Sequence, residues 1–263
     1  SLDVEWAHAI APDAKILVVE AASNSPTDLF DAVIQAAQKA NVVSMSWGTP
    51  EFDAETQIDG IFQAFSSVAF VASSGDSGSG AFYPAASPYV LAVGGTTMEV
   101  AFSRRGVARR MREIGWSSSS GALSQFEQPS PAQSVFLNGI PSRAVPDVAY
   151  IADPITGLAV FDSVPYQGYS GWLQVGGTSA GTPQWSALIA LADSASGTAI
   201  NSSQAAYALY SSLGNHGGPL SDITIGTNGL CGKACLAAPG YDFVTGLGTP
   251  NGDDIIERLA PRP

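Results

Sequence analysis

Short apolar runs alternate with helix-patterned segments along the N-terminal part of the chain, and that alternation admits few folds. Residues 15–20, 42–47, 68–73 and 90–93 each form a compact apolar stretch of the kind that becomes a buried strand. Between them, Ser25-Pro26 opens a helix carrying Leu29, Phe30, Val33, Ile34 and Ala37 on one face, and a second helical pattern runs through Ile58, Ile61, Phe62 and Phe65. Strand–helix–strand repetition builds a mostly parallel sheet flanked by helices, so the expected class is α/β. Beyond Gly94 the pattern loosens. Residues 117–145, rich in Ser, Gly, Pro and Gln, read as a long surface connection that walls a cleft. Residues 158–161 and 172–175 read as a strand pair, and helices are expected near 204–213 and 253–259. With no internal repeat or linker, residues 1–263 are expected to form one domain.

The strand pair feeds Gly176-Gly177-Thr178-Ser179-Ala180-Gly181-Thr182-Pro183, followed by Trp185, Leu188 and Ile189 at helical spacing. Ser179 is therefore expected at a helix N-terminus, where unpaired N–H groups and the helix dipole favour developing negative charge. Small neighbours let a substrate backbone approach. Gly, Thr and Ser before a helix are also ordinary capping residues, but the longer Gly-Thr-Ser-x-x-x-Pro pattern points to a serine nucleophile. Such a serine needs a base. Of the two histidines, His8 lies in an apolar helical context that suits packing, and His216 reads as an exposed loop residue. Carboxylates are the better candidates. Asp76, in the glycine-rich turn 74–80 after a buried strand, sits where α/β sheets place their sites, and Asp3 lies on the opening helix.

A net charge of −12 argues against nucleic acid and suits work in acid, where protonation relieves self-repulsion. No apolar run reaches the roughly 18–20 residues that span a membrane, and nothing at the start resembles a targeting segment. Cys231 and Cys235 could close a small loop or stay thiols. The cluster Arg104, Arg105, Arg109, Arg110 and Arg112 reads as a solvated strand or loop, with partner docking as the alternative. Asn201-Ser202-Ser203 matches a glycosylation acceptor, which matters only in a secreted eukaryotic protein.

Taken in order, residues 1–7 (Ser-Leu-Asp-Val-Glu-Trp-Ala), Ile-Ala-Pro-Asp-Ala-Lys-Ile, Ser-Met-Ser-Trp-Gly, Gly-Asp-Ser-Gly-Ser, Tyr-Pro-Ala-Ala-Ser-Pro-Tyr-Val, Pro-Asp-Val-Ala and Gly-Gly-Thr-Ser-x-x-x-Pro resemble the sedolisins. These are acid-active serine-carboxyl peptidases with a subtilisin-like fold. The resemblance runs from residue 1 to about Asn251. It implies an endopeptidase in which Ser179 is the acylated nucleophile, Asp76 serves the oxyanion hole, and Asp3 partners a glutamate one helical turn upstream. That position falls before Ser1, and Glu5 projects in a different direction, so the chain is expected to be an N-terminally truncated catalytic domain or one chain of a cleaved molecule, weak or inactive alone. A free carboxylate base titrates near about 4, whereas an oxyanion-donating Asp76 must keep its proton through burial. Ser46, Trp47 and Gly48 are expected to pair with substrate backbone as an added strand. Ser120-Gly121-Ala122 departs from the family's glycine run.

In the tail, around residues 220–250, the resemblance implies a Ca²⁺ site, with side chains from Asp222 and Asp242 and carbonyls from Ile223, Ala238 and Gly240. The implied protein is a secreted or extracellular monomer, or one from a periplasmic or lysosomal-type acidic compartment. It acts on polypeptides, is accompanied by a propeptide or companion chain, and binds neither nucleic acid nor membrane. The rival readings are an inactive homologue or autolytic fragment serving as a binding module, and a conventional histidine-dependent subtilisin-like peptidase.

Overall fold

The computed structural model describes residues 1–166, 168–214 and 218–260. In chain order it contains α1 (Leu2–Ile10), α2 (Pro26–Ala37), β1 (Val42–Met45), β2 (Thr49–Pro50), α3 (Glu55–Ile58), α4 (Gly60–Ala64), β3 (Ala69–Ser73), β4 (Phe82–Tyr83) and β5 (Leu91–Phe102). There follow β6 (Ala108–Gly115), β7 (Ala122–Leu123), α5 (Pro131–Phe136), β8 (Ala144–Val145), β9 (Val148–Ile151), β10 (Leu158–Tyr166) and β11 (Tyr169–Val175). The last elements are α6 (Thr178–Ser196), α7 (Ser202–Tyr210), β12 (Leu220–Ser221), β13 (Thr249–Pro250) and α8 (Gly252–Leu259).

The central sheet pairs β1 with β3, β3 with β5 and β5 with β9, all parallel, as the apolar runs require. All five residues of β3 are buried, because helices cover both faces. Ala69 and Val71 point to one side, toward Trp185, Leu188 and Ile189 of α6 and Leu209 of α7. Phe70 and Ala72 point to the other, toward Phe30 and Val33 of α2 and Phe62 of α4. Helix α6 lies against the sheet at Gly181, where an added Cβ would come within 2.7 Å of Tyr150 and 2.9 Å of Val93. The second half of β5 leaves the sheet and forms a hairpin with β6. That arm carries the arginine cluster, exposed and solvated, with Arg110 bonded to Glu113 at 2.9 Å.

Side chains cap the starts of α2 and α7. Ser25 caps α2 by accepting from the Asp28 amide, with Pro26 as first helical residue. Asn201 and Gln204 form a reciprocal capping box on α7. The Asn201 amide nitrogen also donates to the Ser66 carbonyl at 2.7 Å. One expected strand is absent: residues 15–20 run extended without a ladder, and Ile16, Leu17 and Val18 are exposed. An apolar run becomes a strand only beside another strand, and none of the described residues supplies one; β1 is likewise paired on one side only. The single helix expected through Ile58 and Phe65 is split into α3 and α4. His8 is exposed instead of packed, and His216 lies outside the described residues.

The polar centre of the fold is Arg143, fully buried and paired with Asp147 by two 2.6 Å bonds. The guanidinium also donates to the carbonyls of Ala85, Ser87, Val90 and Ala144. Asp147 accepts in addition from the Ala92 amide (2.7 Å) and the Tyr210 hydroxyl (2.8 Å). Removing one partner strands the other's charge in the interior. Asp147→Ala is therefore expected to lower unfolding free energy by about 3–5 kcal/mol, read by urea denaturation, with Asp147→Glu retaining part of it.

Candidate active site

Strand β11 runs directly into Gly176-Gly177, and the chain turns there into α6. Gly177 occupies the left-handed region (φ +104°), and a Cβ on it would lie 2.7 Å from an Asp76 carboxylate oxygen, so the close approach of the two segments requires glycine. Ser179 is accordingly the second residue of α6, at the helix N-terminus. Asp76 follows β3, and Ser46 follows β1, so all three lie at the carboxyl ends of parallel strands or the helix start that faces them.

Hydroxyl groups connect these residues. The Ser179 hydroxyl donates to the Ser46 carbonyl at 3.3 Å, and the Ser46 hydroxyl donates to the Asp3 carboxylate. The Ser46 Oγ also lies 3.2 Å from the Ser179 carbonyl. Asp76 accepts from the Thr178 amide (2.7 Å) and hydroxyl (2.8 Å) through the same oxygen, Oδ1. The Thr178 hydroxyl in turn accepts from the Gly75 amide at 3.1 Å. The turn is held from its other side by Ser120, whose Oγ accepts from the Ser77 amide at 3.0 Å and whose amide donates to Gly75 at 2.9 Å. Asp3, Asp76 and Ser179 thus meet around Ser46 and Thr178.

Asp3 reaches the site because α1 is clamped in place. Glu5 accepts from the Phe161 amide (2.9 Å), and the Trp6 indole donates to the Ala159 carbonyl (3.1 Å), tying α1 to the β10–β11 hairpin. Glu5 is therefore structural, in keeping with its two-residue offset from Asp3. Asp76 is exposed, not buried as expected. Ser46, Trp47 and Gly48 lie in the open stretch between β1 and β2, outside any ladder. Trp47 packs edge-on against Phe30, 5.3 Å between ring centres. Composition and spacing did not single out Thr178 or Ser119 for a role: Ser119, fully buried, links the Gly95 amide to the Val244 carbonyl.

The five tail residues also come together. Asp222 accepts from the Gly240 amide (2.8 Å), while Asp242 accepts from the amides of Ala238 (3.0 Å), Val244 (2.8 Å) and Thr245 (2.8 Å). The Thr245 hydroxyl lies 3.4 Å from the Ile223 carbonyl. Burial pushes the Asp242 carboxyl up to about 6, against the pull of those amides. A buried carboxylate, a second carboxylate and main-chain carbonyls form an oxygen set that suits a hard cation. Among the described residues no group of three or more His, Cys, Asp or Glu side chains could hold a metal ion, so any such site depends on carbonyls. Nearby, Cys231 and Cys235 form a disulfide with their Cα atoms 5.3 Å apart.

Known proteins resemble this chain in sequence and fold. Residues 3–246 match the family model described as the subtilase family. Kumamolisin of Bacillus sp. (strain MN-32) is 34% identical over 99% of this chain and 50% of its own length. Sedolisin of Pseudomonas sp. (strain 101) is 30% identical over 88% of this chain and 43% of its own. The chain thus spans about half the length of the curated relatives it matches. Among solved structures, Pseudomonas sedolisin, a serine-carboxyl proteinase complexed with two molecules of pseudo-iodotyrostatin, superposes with a TM-score of 0.73 at 27% identity, covering 92% of this chain and 71% of that one.

Thr178 is the local keystone of this geometry. Thr178→Val leaves the Gly75 amide without its acceptor and removes one bond to Asp76. The expected result is a loss of about 1–3 kcal/mol with faster hydrogen exchange at Gly75, and Thr178→Ser should restore both.

Proposed function

The chain belongs to the sedolisin family, with its subtilisin-like fold, and from that premise we propose that it is the catalytic domain of an acid-active endopeptidase. The observation that carries the reading is the convergence of Asp3, Asp76 and Ser179 at the head of α6. Ser179 attacks the peptide carbonyl and becomes acylated. A carboxylate takes its proton; in the full-length protein this is a glutamate four residues before Asp3, which Asp3 orients with Ser46 as the link. Asp76 in its protonated form and the Ser179 amide hold the tetrahedral oxyanion, and bound substrate supplies the burial that Asp76 needs. The stretch Ser46-Trp47-Gly48 receives the substrate backbone.

Among the described residues no hydrogen bond joins a histidine to Asp3, Asp76 or Ser179, and His8 lies exposed in the last turn of α1. No helix of the described residues is long and apolar enough to cross a membrane. The acidic composition and the Cys231–Cys235 disulfide support a monomeric protein secreted into, or held in, an acidic compartment and accompanied by a propeptide. In the full-length protein, Ser179→Ala and Asp76→Asn should each lower kcat at acidic pH at least about 10²-fold, while histidine modification leaves the rate intact. Full activity in Ser179→Ala would overturn the reading.

Asp222, Asp242 and the carbonyls of Ile223, Ala238 and Gly240 would hold Ca²⁺, which braces the tail against the β9 end of the sheet. Ca²⁺ at about 100 times its Kd should stabilise the fold by about 2.7 kcal/mol, seen as a higher Tm that chelation reverses. Asp222→Ala should abolish that response. Without cation, the raised Asp242 carboxyl contributes stability that is complete below its ordinary value of 3.8 and is lost as pH rises through about 6.

A further inference from the structure

A second set of acids lies apart from Asp3 and Asp76. Glu51 follows β2, Glu55 is in α3, Asp59 joins α3 to α4, and Glu127 precedes α5. Glu55, Asp59 and Glu127 are 0%, 3% and 3% exposed. Glu55 lies within hydrogen-bonding reach of Glu51, and Glu127 within reach of Asp59.

The remaining neighbours are mostly donors. Glu51 accepts from the Ser124 hydroxyl and from the Gln125 amide (3.1 Å). Glu55 Oε2 accepts from the Phe52 amide (2.8 Å), and Asp59 accepts from the Tyr83 hydroxyl (2.9 Å), with Ser87 also in reach. The positive charge that acts on the group is Arg143, and it is committed to Asp147. Yet Glu55 Oε1 and Glu127 Oε1, both buried, have no hydrogen-bond partner. Two carboxylates cannot bond each other, and a buried unsatisfied oxygen costs free energy. One proton per pair removes both problems.

We propose that this cluster binds two protons, one shared by Glu55 and Glu51 and one by Glu127 and Asp59, and so fastens residues 49–59 to residues 124–127 in acid. Residues 49–59 follow directly on Ser46-Trp47-Gly48, and the 124–127 loop follows Ser120, so the lock joins two segments that flank the candidate site. The hydrogen bonds become charge-assisted when one carboxyl of each pair is neutral. With rising pH both pairs ionise, and adjacent like charges separate the segments. Burial raises Glu55 and Glu127 from 4.5 to about 8. A raised carboxyl adds stability that is complete below the unfolded value and is lost as pH climbs through the folded one. The stability contributed by the lock is therefore expected to be complete near about pH 4 and gone above about pH 8. The proposal does not rest on the peptidase reading, and its tests use no activity.

The measurement is Tm across about pH 4 to 8 for the unmodified chain, Glu55→Gln and Glu127→Gln. Glutamine keeps a donor to the partner carboxylate but cannot ionise. The unmodified chain should lose several degrees toward pH 8, and each variant should lose less, becoming the more stable protein at the alkaline end. Asp242 contributes a slope of the same sign, which the variants leave in place. Infrared spectra should show protonated carboxyl groups persisting at about pH 6.5 in the unmodified chain and diminished in the variants. Parallel slopes in all three proteins, or no protonated carboxyl signal at that pH, would overturn the proposal. Should a variant fail to fold, the infrared spectrum of the unmodified chain decides.

Discussion

The buried pair of Arg143 and Asp147 sets the terms for everything around it. Two charges are removed from water, and the structure meets that cost by surrounding both with oriented dipoles instead of relying on their mutual attraction. The bonds made by Arg143 and Asp147 draw together β5, β8, α7 and the loop before β5. Asp147 stands immediately before β9 and accepts from Ala92 in β5, so the pair also sets how these two strands begin. The far end of β9 leads into Ala152, whose carbonyl accepts from the Gly177 amide, and β3 leads into the Asp76 turn, where the candidate site is built.

At that site the connectors are small. Ser46 and Thr178 bond both main chain and side chains, and Ser120 bonds main chain on the other side of the Asp76 turn, which lets segments from opposite ends of the sequence approach closely. Glycine at 177 removes the last steric obstacle between the Asp76 turn and α6. The protein uses carboxylates in two different settings. Asp3 and Asp76 are exposed to solvent and reachable by another molecule, whereas Glu55, Asp59 and Glu127 are sealed inside.

Much of this was legible in the amino-acid order. The apolar runs that became β1, β3 and β5 were long enough and isolated enough to identify, and Ser25-Pro26 marked its helix start. Ser179 was identified as a helix N-terminal hydroxyl from local spacing alone. Failures had physical causes. Residues 15–20 carry a strand's composition, but strand formation is a property of a pair, and composition cannot report the partner. His8 sits among apolar residues in sequence, yet α1 lies at the surface with none of its residues buried, and His8 faces water. The roles of Arg143, Thr178 and Glu127 depend on contacts across tens of residues, which no local pattern encodes. Ser120 was visible as a departure from a glycine run, although its bond to Ser77 was not.

The cap on α7 bears on the Asn-Ser-Ser sequence that begins at Asn201. Both ends of that side-chain amide are already in use, its oxygen on the Gln204 amide and its nitrogen on the Ser66 carbonyl. A sugar joined to the nitrogen replaces one of its two hydrogens, so the bond to Ser66 survives only where the sugar takes the outward-facing one. In the folded state, then, the Ser66 contact that holds the start of α7 fixes the direction in which any glycan on this tripeptide would project.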